Sequence, residues 1–210
     1  MNDPALTLMQ WLSPAFPVGA FAYSHGLEQA IADEQVSDGD TLHDWIKFLI
    51  THGSARADAI LLASAYKTDD LIDVDATARA FAAGAERLKE SDLQGAAFCD
   101  TARAVWGINI RGLTYPVAVG AAARAMDIPL AQTLPLYLHA FASNLIAAAQ
   151  RLMPLGQTEG QRVLASLIKA IQTTAHTAHD SMLDDLTAAS FAADIAAMRH
   201  ETLTHRIFRT

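Results

Sequence analysis

Cysteine is almost missing from this chain: Cys99 is the only one in 210 residues. No intramolecular disulfide can form, and a reducing cytoplasm is the natural reading. Basic charge is also scarce, with 15 Lys and Arg against 23 Asp and Glu and a net charge of −8. Non-specific nucleic-acid binding needs the opposite, a basic footprint, so no nucleic-acid partner is expected. The first residues, MNDPALTLMQWLSPAF, carry an acid and no basic stretch, so they do not read as a secretory signal. Residues 128–150 lack Asp, Glu, Lys and Arg, but Pro129, Gln132, Pro135, His139 and Asn144 interrupt them. That run reads as a buried helix with a proline-rich entry, and no membrane span is expected.

Apolar residues are plentiful instead, at 51% of the chain, and mean hydropathy is slightly positive. So much apolar side chain fills a large core and leaves surface for a partner to cover. The pattern is helical throughout, with no convincing strand alternation. Leu42, Trp45, Ile46 and Leu49 fall at i, i+3, i+4 and i+7, as do Ala59, Leu62, Ala63 and Tyr66. Leu138, Phe141, Ala142 and Leu145 repeat the template, and so do Leu164, Leu167, Ile168 and Ile171. Capping-box spacing pairs Thr41 with Asp44, Ser91 with Gln94, and Thr158 with Gln161.

These signals predict helices near 4–12, 25–34, 41–67, 70–89, 92–109, 117–127, 134–153, 158–178 and 191–200. The expected fold is all-α: a single-domain bundle of about nine or ten helices over residues 1–210. Alanine-rich runs such as VAVGAAARA (117–125) predict closely packed helix faces.

Candidate chemistry is thin. AYSHG (22–26) resembles a nucleophile elbow at Ser24, but that turn needs a strand before it and none is predicted. Ser24 reads more simply as the N-cap of a helix starting at His25. HETLTH (200–205) spaces its histidines five apart, about 140° around a helix, so His200 and His205 cannot share a metal there. His176 and His179 are one turn apart with Asp180 adjacent, and a helical protein using them, or the tail histidines, to bind metal is the alternative reading. PLGQTEGQ (154–161) lacks the lysine and glycine spacing of a phosphate loop. Cys99 lies in an apolar pattern and reads as a buried, inert thiol.

Two stretches remain. SPAFPVGAFAYSHGLE (13–28) is too irregular for a core helix and too apolar for an ordinary loop. Its prolines and glycines would fix a rigid approach that presents Phe16, Phe21 and Tyr23. RHETLTHRIFRT (199–210) carries Arg199, Arg206 and Arg209 against the single acid Glu201, with Leu203, Ile207 and Phe208 between them. That composition suits an interface anchor, one able to order only on a partner.

Together with YPVAVGAAA (115–123) and NLIAAAQRLMPLGQTEGQ (144–161), these blocks resemble the UreF family of urease accessory proteins. The likeness covers essentially the whole chain. Departures are small: Ala20 stands where many relatives have serine, and His205 and Thr210 differ from the usual ending. The resemblance implies an all-helical, non-enzymatic, cytoplasmic protein, usually a dimer, that binds the accessory protein UreD (also called UreH). It further implies recruitment or regulation of the GTPase UreG, which carries nickel, and action on apo-urease. No cofactor would be bound stably, since GTP is held by a partner and nickel is cargo. By the same resemblance Arg206, Ile207 and Phe208 match the block that packs on UreD, beside Arg209 and the pair His200 and Glu201. Pro17, Gly19, Phe21, Tyr23, His25, Gly26 and Glu28 match an amino-terminal block expected at a dimer or partner surface.

Overall fold

The computed structural model describes residues 3–187 and 191–209, so Thr210 lies outside the described residues. Among these the chain is helical, with no strand. In order come α1 (Pro4–Trp11), α2 (Leu27–Ala32), α3 (Gly39–His52), α4 (Ser54–Lys67), α5 (Ile72–Ala80) and α6 (Ala85–Trp106). Then follow α7 (Tyr115–Ala125), α8 (Leu130–Leu152), α9 (Gln157–Asp180) and α10 (Phe191–His200), with short 3-10 turns at Ala20–Ala22 and Leu183–Asp185.

Helix α4 runs through the middle and packs on α3, α7, α8 and α9. Its buried run Ala59 to Ala63 shows why an alanine- and leucine-rich helix suits that place: it presents apolar surface all round. Small residues set the closest contacts. A Cβ on Gly120 of α7 would stand 2.2 Å from the Leu62 carbonyl of α4, and one on Gly95 of α6 would stand 2.0 Å from the Leu113 carbonyl. Backbone meets backbone at both places, so only glycine fits. The aromatic residues Trp11, Phe16, Phe98 and Trp106 form a ring cluster with neighbouring centroids 5.3–6.3 Å apart.

The four predicted stripes face this core, except that Ile168 is largely exposed. Several boundaries differ from the sequence reading. The stretch 41–67 is two helices broken at Gly53, and α3 is capped by Asp38, whose carboxylate accepts from the Thr41 N–H at 2.9 Å. Thr41 therefore occupies the third helical position of the box, not its cap. Ser91 and Gln94 lie inside α6, which begins at Ala85, and α9 begins one residue before Thr158. The predicted break between 89 and 92 falls earlier, at Phe81–Gly84. Among the described residues no helix is long and apolar enough to cross a membrane. Cys99 is buried, and that burial pushes its thiol pKa up.

Candidate functional site

The amino-terminal block and the carboxyl-terminal tail form one unit. His25 and Gly26 both have positive φ, 52° and 76°, which turns the chain sharply into α2. At Gly26 a Cβ would lie 2.8 Å from the Ala197 nitrogen and 3.1 Å from the Ala193 oxygen, so the missing side chain is what lets α10 lie against the start of α2. Helix α2 therefore starts at Leu27 with Gly26 at its cap, two residues later than a cap at Ser24 implies. Ser24 is fully buried, its hydroxyl accepting from the Glu28 N–H at 3.4 Å.

Past α10 the tail folds back onto this turn. The Glu28 carboxylate accepts from the Ile207 N–H at 2.7 Å and from the Phe208 N–H at 2.9 Å, and it faces His200 Nε2 at 2.9 Å. Burial alone would raise the Glu28 pKa, but these hydrogen bonds outweigh it and hold the carboxyl below the usual range. His200 is 0% exposed, and its Nδ1 lies 2.9 Å from Glu86 of α6. Glu86 also pairs with Arg206. Glu201 accepts from the Ala85 N–H at 3.0 Å, so it caps α6, whose own preceding residue Gly84 has no side chain to do so. The Arg209 N–H donates to the Ala22 carbonyl at 2.8 Å, and the Arg209 side chain hydrogen-bonds Tyr23. Phe208 is 3% exposed, with the Arg151 guanidinium 4.6 Å above its ring.

These contacts correct several expectations. Phe208 fills a pocket of its own chain, and the tail folds back onto α2 and the start of α6. Phe16 and Tyr23 turn inward, so of the three rings expected on the surface only Phe21, 64% exposed, is there. Glu28, Tyr23 and His200 are likewise internal. The tail shows Ile207, 60% exposed, to solvent together with Arg206 and Arg209, and with the polar Glu201, Thr202, Thr204 and His205.

His25 belongs to a second, deeper cluster that the sequence reading did not assemble. Its ring lies 4.7 Å from that of Phe141 and its Nε2 is 3.2 Å from Glu90. Burial, helped by the Arg87 charge, lowers its pKa to about 3, so the contact with Glu90 is a hydrogen bond from a neutral ring, not an ion pair. Arg87 of α6 holds Asp58 of α4 at 2.7 Å and Glu90 at 3.3 Å. Although burial works against its charge, the Asp58 and Glu90 carboxylates outweigh that and raise its pKa. Tyr137 of α8 donates to Asp58 at 3.0 Å. His25, Asp58, Arg87 and Glu90 line two clefts, one toward α5 and α10 and one toward α1 and α8. The available signal was Asp58, an acid in the middle of the apolar pattern of α4.

The other histidines do not converge. His179 lies 3.0 Å from the exposed Asp180, His176 and His205 are exposed, and His200 is enclosed by carboxylates. Among the described residues no group of three or more His, Cys, Asp or Glu side chains is arranged to hold a metal ion.

The sequence pattern of the UreF family matches residues 36–168. Over its full length the chain is 58% identical to the urease accessory protein UreF of Ruegeria sp. (strain TM1040), covering 99% of that protein. It is 54% identical to UreF of Roseobacter denitrificans, covering 95% of it. It is 50% identical to UreF of Cereibacter sphaeroides (strain ATCC 17025), with both chains covered completely. An all-helical domain, a matching family pattern and full-length relatives at this identity lead to one statement: the chain belongs to the UreF family of urease accessory proteins.

Proposed function

We infer that this protein is a non-enzymatic scaffold of urease maturation. It binds UreD (UreH), recruits or regulates the GTPase UreG, and so serves nickel insertion into apo-urease, acting as a homodimer in the cytoplasm. The observation that carries this reading is the docked tail, in a chain whose full-length relatives are named urease accessory proteins. On a molecule of net charge −8, the tail sets Arg206 and Arg209 around the exposed Ile207, a small basic and apolar surface. Such a surface suits an acidic, apolar-centred partner. Phe208 and His200 serve by holding that surface in shape.

Truncating residues 199–210 is a poor test, because it also removes the cap of α6 and the partners of Glu28. Surface substitutions are cleaner. Ile207→Asp, at a side chain that is 60% exposed, should leave the circular dichroism spectrum and melting temperature unchanged while reducing co-purification with UreD at least tenfold, the loss of about 1.4 kcal/mol. Undiminished co-purification by that folded variant would remove Ile207 from the partner surface.

A further inference from the structure

We propose that His200 is a proton-controlled clasp: its imidazolium joins Glu28 to Glu86 and fastens the tail onto α2 and α6, and loss of that proton releases the tail. A neutral imidazole has one N–H and one bare nitrogen. Both ring nitrogens of His200 face carboxylate oxygens at 2.9 Å, in a site with no solvent exposure. An ionised carboxylate only accepts, so a bare nitrogen there would set two lone pairs against each other.

Neither glutamate offers a proton instead. Glu28 accepts two backbone N–H groups from the tail, and Glu86 accepts from the Arg206 guanidinium. The proton therefore belongs on the ring, where His200 and Arg206 together balance the two carboxylates. Removing it leaves one uncompensated negative charge inside the cluster.

The surroundings add no substitute. Helix α2 contributes Glu28, α6 contributes Glu86, and the tail contributes Arg206, which Glu86 already uses. Glu201 is turned to the start of α6, Arg199 pairs with Asp33 at 3.6 Å, and Asp194 lies along the nearby cleft. Because Glu28 also holds Ile207 and Phe208, the clasp controls the segment that bears Ile207 and Arg209. Its consequence for partner binding rests on the scaffold reading above; the clasp itself does not.

The full-length chain is followed by hydrogen–deuterium exchange from about pH 6 to about pH 9, corrected for the intrinsic rate. Protection of residues 201–209 should fall about tenfold or more on the alkaline side, while α4 and α8 stay protected. In Glu86→Gln the amide can donate to a neutral ring, so tail protection should become flat with pH. His200→Gln should be weaker and equally flat. Flat protection in the wild type, or an unchanged slope in Glu86→Gln, overturns the proposal, and the wild-type series decides alone if a variant fails to fold. Capture of UreD at both ends of the range keeps the two readings apart. Sloping exchange without capture at any pH retains the clasp and sinks the scaffold, whereas flat exchange sinks the clasp whatever the partner does.

Discussion

Glu28 ties together three stretches far apart in the chain: its own helix, the end of α10, and the last turn of the tail. Its free carboxyl titrates near 4.5, and in the folded protein the hydrogen bonds from His200, Ile207 and Phe208 lower that value against the opposing effect of burial. A carboxyl with a depressed folded value lends stability that is complete above the unfolded pKa and is lost as pH falls through the folded one. Glu28→Gln keeps the shape but turns an N–H donor toward the donors of the tail. At neutral pH it should cost about 2 kcal/mol in urea unfolding. On acidification below about pH 4 the gap between variant and wild type should close, because the wild-type carboxyl is then protonated too. A gap that stays constant down to about pH 3 would show that the Glu28 charge does not hold the tail.

At the scale of helices, the apolar periodicity located most elements because one buried face is a property of the local sequence. Boundaries were less legible. Alanine has the highest helix propensity, so Ala82 and Ala83 gave no sign that the chain breaks between α5 and α6. The start of α6 at Ala85 is satisfied by Glu201, 116 residues later, a cap that no local pattern contains. The packing of α4, α6 and α7 likewise depends on glycines that look ordinary in sequence. Gly120→Ala places a methyl carbon 2.2 Å from the Leu62 carbonyl, and Gly95→Ala places one 2.0 Å from the Leu113 carbonyl. Neither neighbour is a flexible side chain that can move aside. Each substitution should cost about 3 kcal/mol or more, read as a lower denaturant midpoint. Wild-type stability in either variant would mean that these helices can separate freely.

Over the whole molecule, sequence blocks pointed to the right residues but not to their relation. SPAFPVGAFAYSHGLE and RHETLTHRIFRT read as two surfaces, yet Glu28, Tyr23 and Ala22 of the first are bonded to the second. Distance along the chain hid this pairing, and it hid the cluster beneath it for the same reason. Asp58, Arg87, Glu90, Tyr137 and His25 come from three helices and a turn, and each looks unremarkable alone. Their burial makes the cluster the junction of α4, α6 and α8. Asp58→Asn removes the closest carboxylate from the buried Arg87 guanidinium and leaves its charge undercompensated, since the remaining contact to Glu90 is 3.3 Å. Breaking one partner of such a pair costs about 3–5 kcal/mol, and for a chain of this length that lowers Tm by roughly 6–20 °C. The double variant Asp58→Asn with Arg87→Met takes away the stranded charge and should recover part of the loss. If the single variant melts within about 2 °C of the wild type, the ionic cluster is not what joins these helices, and apolar packing around it carries the junction instead.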